Sequence, residues 1–214
     1  MADASGRNGS IVRRIGARRI CYDKLVGLSG TFALNNDTVL EHYTQVEATA
    51  NGWWYAVEIP GHQLRVVFMT DADCVDKTWQ EPDVFRAQFE QTSTGKEWRK
   101  HLQETIGPVR TNNADTSALE IPYGDGWLAV GDAAYAFDPV SSYGISSALG
   151  SGFYAGNAIA DCLGNNPDAL PAYRYVMENA FVQYLKMWQQ QYVYEQRWPE
   201  AVFWKRRLED RTAG

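Results

Sequence analysis

The chain has 214 residues, 45% hydrophobic and 21% charged, with a formal net charge of -6 and an isoelectric point near 5.1. This is ordinary globular composition, long enough to bury a core in one large domain or two small ones. The acidic balance argues against a nucleic-acid binder, which carries a basic footprint. Without an apolar run of about 18 residues, no membrane-spanning helix is expected. The opening "MADASGRNGSIVRR" lacks the apolar stretch of a secretory signal, so a soluble, cytoplasmic protein is predicted. Cys21, Cys74 and Cys162 are odd in number and widely spaced, which suits reduced thiols. His42, His62 and His101 are too scattered to suggest a metal site. Eight tryptophans and twelve tyrosines are a heavy aromatic load, suited to a core or to a site for flat ligands.

In chain order, "MADASGRNGSIVRRIGARR" reads as a loop and one or two helical turns, with Ile11, Val12 and Ile15 at helical spacing. Four strand-like runs follow between Lys24 and Asp71: "KLVGLSGTFAL", "TVLEHYTQVEAT", "GWWYAVEIP" and "QLRVVFMTD". They are rich in β-branched and aromatic residues and are separated by the turn-forming "NND", "ANG" and "PGH". Such a series predicts an antiparallel sheet. Between Glu81 and Ile106 the period becomes helical, Phe85 with Phe89 and Trp98 with Leu102, and "STG" marks a break between two helices. "TNNADTSALEIPYGDG" reads as a polar connector and "WLAVG" as a short buried strand. That lone strand must find its hydrogen-bonding partner in the N-terminal segment or in another chain. A helix is predicted from Gly144 to Leu163. Helix then continues from Pro167 to Arg207, with Phe181, Tyr184, Leu185, Trp188 and Tyr192 on one face and Pro199 ending or bending it.

The stretch that carries chemistry is "GWLAVGDAAYAFDPVSSYGISSALGSG". A strand running into Gly131-Asp132 puts a carboxylate at its carboxyl end, where ligands sit in open α/β sheets. Pro139 stiffens the loop and Gly144 lets backbone approach closely. The helix that follows offers free N–H groups and its positive dipole end. Gly150, Gly152, Ala155 and Gly156 keep it slim enough for tight packing.

"GDAAYAFDPVSSYGISSAL" resembles the second flavin motif of FAD-dependent monooxygenases of the hydroxybenzoate hydroxylase type. "DPVSSYGI" resembles more closely the branch of tryptophan halogenase-like oxidoreductases and flavoproteins of quinone-cofactor maturation. "ADASGR" is similar to the family's DASG stretch, and "GWWYAVEIP" to its Trp-rich strand ending in Pro. "FMTDAD" and "EQRWPEAVFWKRR" fit the same branch. The resemblance implies FAD as cofactor, with Asp132 on the ribityl chain and Pro139, Ser142, Gly144 and Ile145 lining the flavin. It adds Asp3 and Arg7 as cofactor contacts and Trp53 and Tyr55 as a wall for a small aromatic substrate. Tyr55 and Val57 stand where the halogenases carry the two tryptophans of W-x-W-x-I-P, so halogenation itself is weakly supported.

The family's opening G-x-G-x-x-G is missing. The expected fold class is therefore α+β: an antiparallel substrate-type sheet plus helices, a remnant of the FAD-binding α/β domain, and a helical C-terminus. The expected divisions are 1–23 for the remnant, 24–110 for the sheet and its helices, 111–164 for the flavin-motif strand, loop and helix, and 165–214 for the C-terminal helices. The function expected is a truncated or split FAD-dependent oxidoreductase for an aromatic substrate, completed by an N-terminal half polypeptide or a homodimer. The alternatives are a small-molecule binding module without chemistry and an oligomeric interaction protein. No nucleophile or acid–base pair stands out. Glu58, Asp71 and Asp73 read as solvated carboxylates, Arg7, Arg13 and Arg14 as solvated cations, and "FWKRRLEDR" as a helix-end cluster.

Overall fold

The computed structural model describes residues 1–35 and 43–208. Its strands are β1 (Ala2–Asp3), β2 (Arg19–Cys21), β3 (Leu25–Leu34), β4 (Thr44–Thr49), β5 (Gly52–Ile59), β6 (Gln63–Asp71), β7 (Leu102–Thr105), β8 (Arg110–Asn113), β9 (Ser117–Leu119), β10 (Tyr123–Gly124), β11 (Trp127–Ala129) and β12 (Tyr135–Ala136). Its helices are α1 (Ser10–Arg14), α2 (Pro82–Phe89), α3 (Ser93–Trp98), α4 (Gly144–Leu163), α5 (Ala169–Val193) and α6 (Val202–Leu208). The mixture is the α+β class that the sequence predicts. Two compact units divide the chain: Met1–Lys24 with Ala114–Gln191, and Leu25–Asn113 with the segment from Tyr192 onward.

The second unit is built on a six-stranded antiparallel sheet in the order β4-β5-β6-β3-β7, with β8 also on β3. β3 pairs β6 from Leu25↔Asp71 to Ala33↔Gln63. Its other edge is shared by β8, along Val26–Ser29, and by β7, at Phe32 and Leu34. Alternation puts Leu28, Phe32, Trp54, Ala56, Leu64, Val66 and Phe68 on one face, where Phe85 and Phe89 of α2 cover them. Each large side chain so buried stabilises the fold by about 1.5–3 kcal/mol. Gly30 lets α2 come close, since a Cβ there would meet the Phe85 ring at 2.9 Å.

Three expectations are corrected in this region. Leu102 belongs to β7, not to a helix: pairing with Leu34 of β3 overrides its helical spacing from Trp98. The break between the two predicted helices falls at Glu90–Thr92, just before "STG", which opens α3 because Thr92 caps it by accepting from Gly95 N at 2.8 Å. Asp71 is buried, not solvated, and holds α6 to β6: Arg207 Nη2 lies 2.8 Å from its Oδ1 and Arg206 Nη1 2.9 Å from its Oδ2. Arg206 also pairs with the exposed Asp73 at 2.7 Å, while Glu58 is half-buried. The Arg207 guanidinium stacks over Phe203 at 3.6 Å. Thr38–His42 of the second predicted strand, and Glu209–Arg211 of the basic cluster, lie outside the described residues.

The first unit holds two three-stranded sheets, β1-β11-β10 and β12-β9-β2. The lone strand finds its partner in the N-terminal segment: β1 runs parallel to β11, with Ala2↔Leu128 and Asp3↔Ala129. The expected polar connector contains β9 and β10, strands too short to leave a periodic signal. α5 buries Tyr173, Met177, Phe181, Tyr184 and Trp188, the face its spacing marks out. Its run stops at Val193, and Pro199 stands in the gap before α6. Among the described residues no helix is long and apolar enough to cross a membrane.

Candidate functional site

The flavin-like motif folds in the first unit as strand, turn, loop and helix. β11 ends at Ala129, and Gly131 turns the chain in the left-handed region at φ 55°. A Cβ at Gly131 would also press on Ala148 of α4 at 3.3 Å. Gly131 N donates to Ser151 Oγ at 2.8 Å, which donates in turn to Ala148 O at 3.0 Å, so the turn is pinned to α4.

Asp132 sits half-buried in that turn, its Oδ2 3.4 Å from Arg7 Nε. Burial raises its carboxyl above the usual range, against the pull of the Arg7 and Arg19 guanidiniums. Arg7 is not solvated as predicted. It donates to the carbonyls of Asp115 and Phe137, and Arg19 donates to the Ala133 carbonyl and to Ser117 Oγ. Two guanidiniums thus fasten the turn to neighbouring backbone, because their fixed forks match several acceptors at once. Arg13 and Arg14 are exposed.

Asp3 is buried and fully engaged by its own segment. It accepts from Ser5 N at 2.9 Å, Ser5 Oγ at 2.6 Å, Ile11 N at 3.0 Å and Val12 N at 2.9 Å. Burial pushes its carboxyl upward, but these bonds outweigh it and hold the group below the usual range. "ADASG" is thereby a cap for α1.

The loop Asp138–Ser142 is built on a buried polar network. Asp138 caps the turn that Pro139 opens, accepting from Val140 N at 2.8 Å, and its other oxygen accepts from Trp188 Nε1 at 2.9 Å. Asp138 N donates to Tyr184 OH at 2.8 Å, and Thr116 Oγ1 lies 3.0 Å from the same phenol. Burial, then the Asp138 charge, pushes the Tyr184 phenol far above its usual range. Ser142 follows, exposed and left-handed at φ 54°. α4 then starts at Gly144 with no side-chain cap on its first N–H groups.

The glycines of α4 correct a further expectation. A Cβ at Gly144, Gly150, Gly152 or Gly156 would find no described atom within 4 Å, so no neighbour packs against them. The same helix exposes Ile145 (78%), Leu149 (73%), Phe153 (68%) and Leu163 (81%).

Of the residues singled out from the sequence, the structure joins Asp132 and Arg7 in an ion pair and sets Pro139, Ser142, Gly144 and Ile145 along one continuous loop and helix start. Asp3 is committed to α1. Trp53 and Tyr55 lie in the second unit on one face of β5, ring centroids 6.1 Å apart. Trp53 is buried and donates from Nε1 to Tyr192 OH at 3.1 Å, leaving the half-buried Tyr55 the more accessible. Two cavities stand out. One of about 330 Å³ in the first unit is lined by Trp127, Leu128, Ile159 and Leu163 among others, and one of about 320 Å³ in the second by Trp54, Phe68, Trp79 and Trp198 among others. Asp132, Pro139, Gly144, Trp53 and Tyr55 line neither. Sequence reasoning missed Asp138 and Ser151, and read Tyr184 and Trp188 only as part of a packing face. Only the Asp138-Pro139 dipeptide carries a readable signal, a cap residue before a first-turn proline. The carboxylates of Asp71 and Asp73 and the Cys74 thiol come within 4.8 Å, but Arg206 and Arg207 already occupy that pair of carboxylates.

No protein-family model matches the chain. It is 30% identical over 208 residues to the putative FAD-dependent oxidoreductase LodB of Marinomonas mediterranea, covering 97% of this chain and 55% of that protein. Among solved structures, the myxobacterial chondrochloren halogenase CndH superposes with a TM-score of 0.84 at 19% identity, over 99% of this chain and 51% of its own. The peptidyl tryptophan dihydroxylase QhpG superposes with a TM-score of 0.76 at 22% identity, over 92% of this chain and 46% of its own. The chain spans about half the length of the proteins it matches, and the structural matches show the fold alone. Over that half the chain is a homologue of a putative FAD-dependent oxidoreductase, and it shares its fold with a flavin-dependent halogenase and a peptidyl tryptophan dihydroxylase.

Proposed function

We propose that this chain supplies the ring-binding half of an FAD site in an oxidoreductase that acts on an aromatic substrate. The observation that supports it is the uncapped start of α4 beside the Asp138–Ser142 loop, with open space where Gly144 lacks a side chain. That cradle fits a flavin: the first N–H groups of α4 carry no side-chain cap and suit an electron-rich edge, and Asp132 offers a half-buried carboxylate for hydroxyls. Pro139, Ser142, Gly144 and Ile145 would line the ring and Asp132 the ribityl chain, while Arg7 holds Asp132 in place. Bound there, the flavin supplies the electron-transfer and oxygen chemistry. This chain's residues position it: Asp138, Tyr184 and Trp188 keep the loop in one shape, and Arg7 and Arg19 keep the turn. Tyr55 is the residue we assign to the substrate, with Trp53 behind it.

The relatives' remaining length also supports a partner. We propose that a polypeptide with a dinucleotide-binding half covers the apolar side of α4 and holds the adenosine end, the complex residing in the cytoplasm, where Cys21, Cys74 and Cys162 stay free. Co-expression with such a half should give a yellow complex whose oxidised-flavin absorbance is lost in Asp132→Ala and Gly144→Val. Substitution at Arg13, which is exposed, should leave it intact. A complex that forms without flavin, or flavin retained at full strength in both site variants, would overturn the reading.

A further inference from the structure

The second unit carries a cavity that the flavin reading does not use. It lies against the sheet face that bears Trp54 and Phe68, opposite the face of Trp53 and Tyr55. Trp54 and Phe68 are buried and stack with ring centroids 4.5 Å apart, forming an aromatic floor. Trp79, 5.0 Å from Phe68, and Trp198, from the segment after α5, are only half-buried and form the walls. A volume of about 320 Å³ accepts a one- or two-ring molecule.

The polar groups at this cavity decide the ligand's charge. Glu47 is the one acid in its lining, and both of its oxygens are taken: they accept from Ser93 N at 2.8 Å and Thr94 N at 2.7 Å at the start of α3. Burial pushes the Glu47 carboxyl upward, but these bonds hold it below the usual range. The Arg197 guanidinium sits over the Trp198 ring, 4.3 Å from its centroid. Its Nε and Nη2 bind Glu195, while Nη1 makes no hydrogen bond among the described residues. Gln88 and Gln91 add amides at the rim. Stacked aromatic surface, an internally satisfied acid and a guanidinium with donors to spare favour a flat ring carrying an anion.

We infer that this cavity is a second ligand site, for a small planar aromatic carboxylate, with Trp79 and Trp198 holding the ring and Arg197 Nη1 the carboxylate. It stands apart from the flavin proposal, and its test needs no flavin. Indole-3-acetate is titrated into the chain and read by the shifts of tryptophan side-chain N–H signals, with indole as the uncharged control. Indole-3-acetate should bind saturably and at least fivefold tighter than indole. Arg197→Gln should weaken indole-3-acetate about fivefold while leaving indole within about twofold, the scale of one charge-assisted hydrogen bond at an open site. Trp79→Ala should weaken both about tenfold, the effect of losing one aromatic wall. Trp53→Phe, on the other face, should change neither. Absence of saturable binding would overturn the site. So would binding that Trp79→Ala and Arg197→Gln leave unchanged, or that Trp53→Phe abolishes.

Discussion

The two units use hydrophobic residues in opposite ways. In the second unit the buried side chains on the helix-covered face of the sheet form one cluster drawn from β3, β5, β6, α2 and β7, and Phe32, Phe85 and Phe89 are fully buried. In the first unit α5 buries its face, but α4 sends Ile145, Leu149, Phe153 and Leu163 into solvent beside glycines that touch nothing. An apolar strip left largely exposed marks a surface built for something else. The sheet unit is thus an independently satisfied core, whereas the flavin-like motif is an unsatisfied one. This is why the functional reading rests on the first unit, and the additional ligand site on a cavity within the second.

Substitutions sharpen that contrast, beginning with the largest effect. Phe32→Ala should cost about 3–5 kcal/mol in a denaturant titration, through lost transfer and a cavity under α2. Phe153→Ser should stay within about 0.5 kcal/mol in the same assay. Equal losses at the two positions would break the contrast. Asp71→Ala should come next, at about 3 kcal/mol, because Arg207 would be left buried without its carboxylate. In circular dichroism and proteolysis, release of α6 should accompany that loss.

Asp3→Asn tests the order of the N-terminal turn, at about 2 kcal/mol for a buried carboxylate that accepts four bonds. The Asp3 carboxyl is held below its ordinary value, so its stabilising contribution is present above the usual carboxylate range. It disappears as pH falls through the lowered value. The melting-temperature gap between Asp3→Asn and the parent should therefore be full at pH 7 and close below about pH 4. A gap that widens in acid would contradict the capping role. The smallest effect is a gain: Gly152→Ala should stabilise the chain by about 0.5–1 kcal/mol, since helix propensity rises and the space is open. A destabilisation would show that the α4 glycines are packed after all.

The strands of the second unit were readable one by one, because alternation and turn residues are local properties of the chain. Gly131, Asp132, Pro139 and Gly144 were readable as a motif for the same reason. What locality could not reveal was partnership. Nothing in "WLAVG" says that Ala2 and Asp3 will pair with it. Nothing in the spacing of Trp98 and Leu102 shows that β3 will take Leu102 into its edge. Asp138, Tyr184 and Trp188 lie up to 50 residues apart and become one network only when α5 folds onto the loop. Asp71 looked like any strand-end carboxylate until Arg206 and Arg207 reached it across more than 130 residues of chain.

By itself, then, the sequence determined the α+β class, the antiparallel strands, the extent of α4 and the resemblance of the "GDAAYAFDPVSSYGI" stretch to a flavin motif. Local propensity and side-chain periodicity carry that much. Only the tertiary structure decided which carboxylates are spent on folding, as Asp3 and Asp71 are, and that Asp132 is held half-buried beside Arg7. It also decided which aromatic face encloses a cavity. Hydrogen-bond partners, burial and open space are properties of residues far apart in sequence, and they exist only once the chain has brought those residues together.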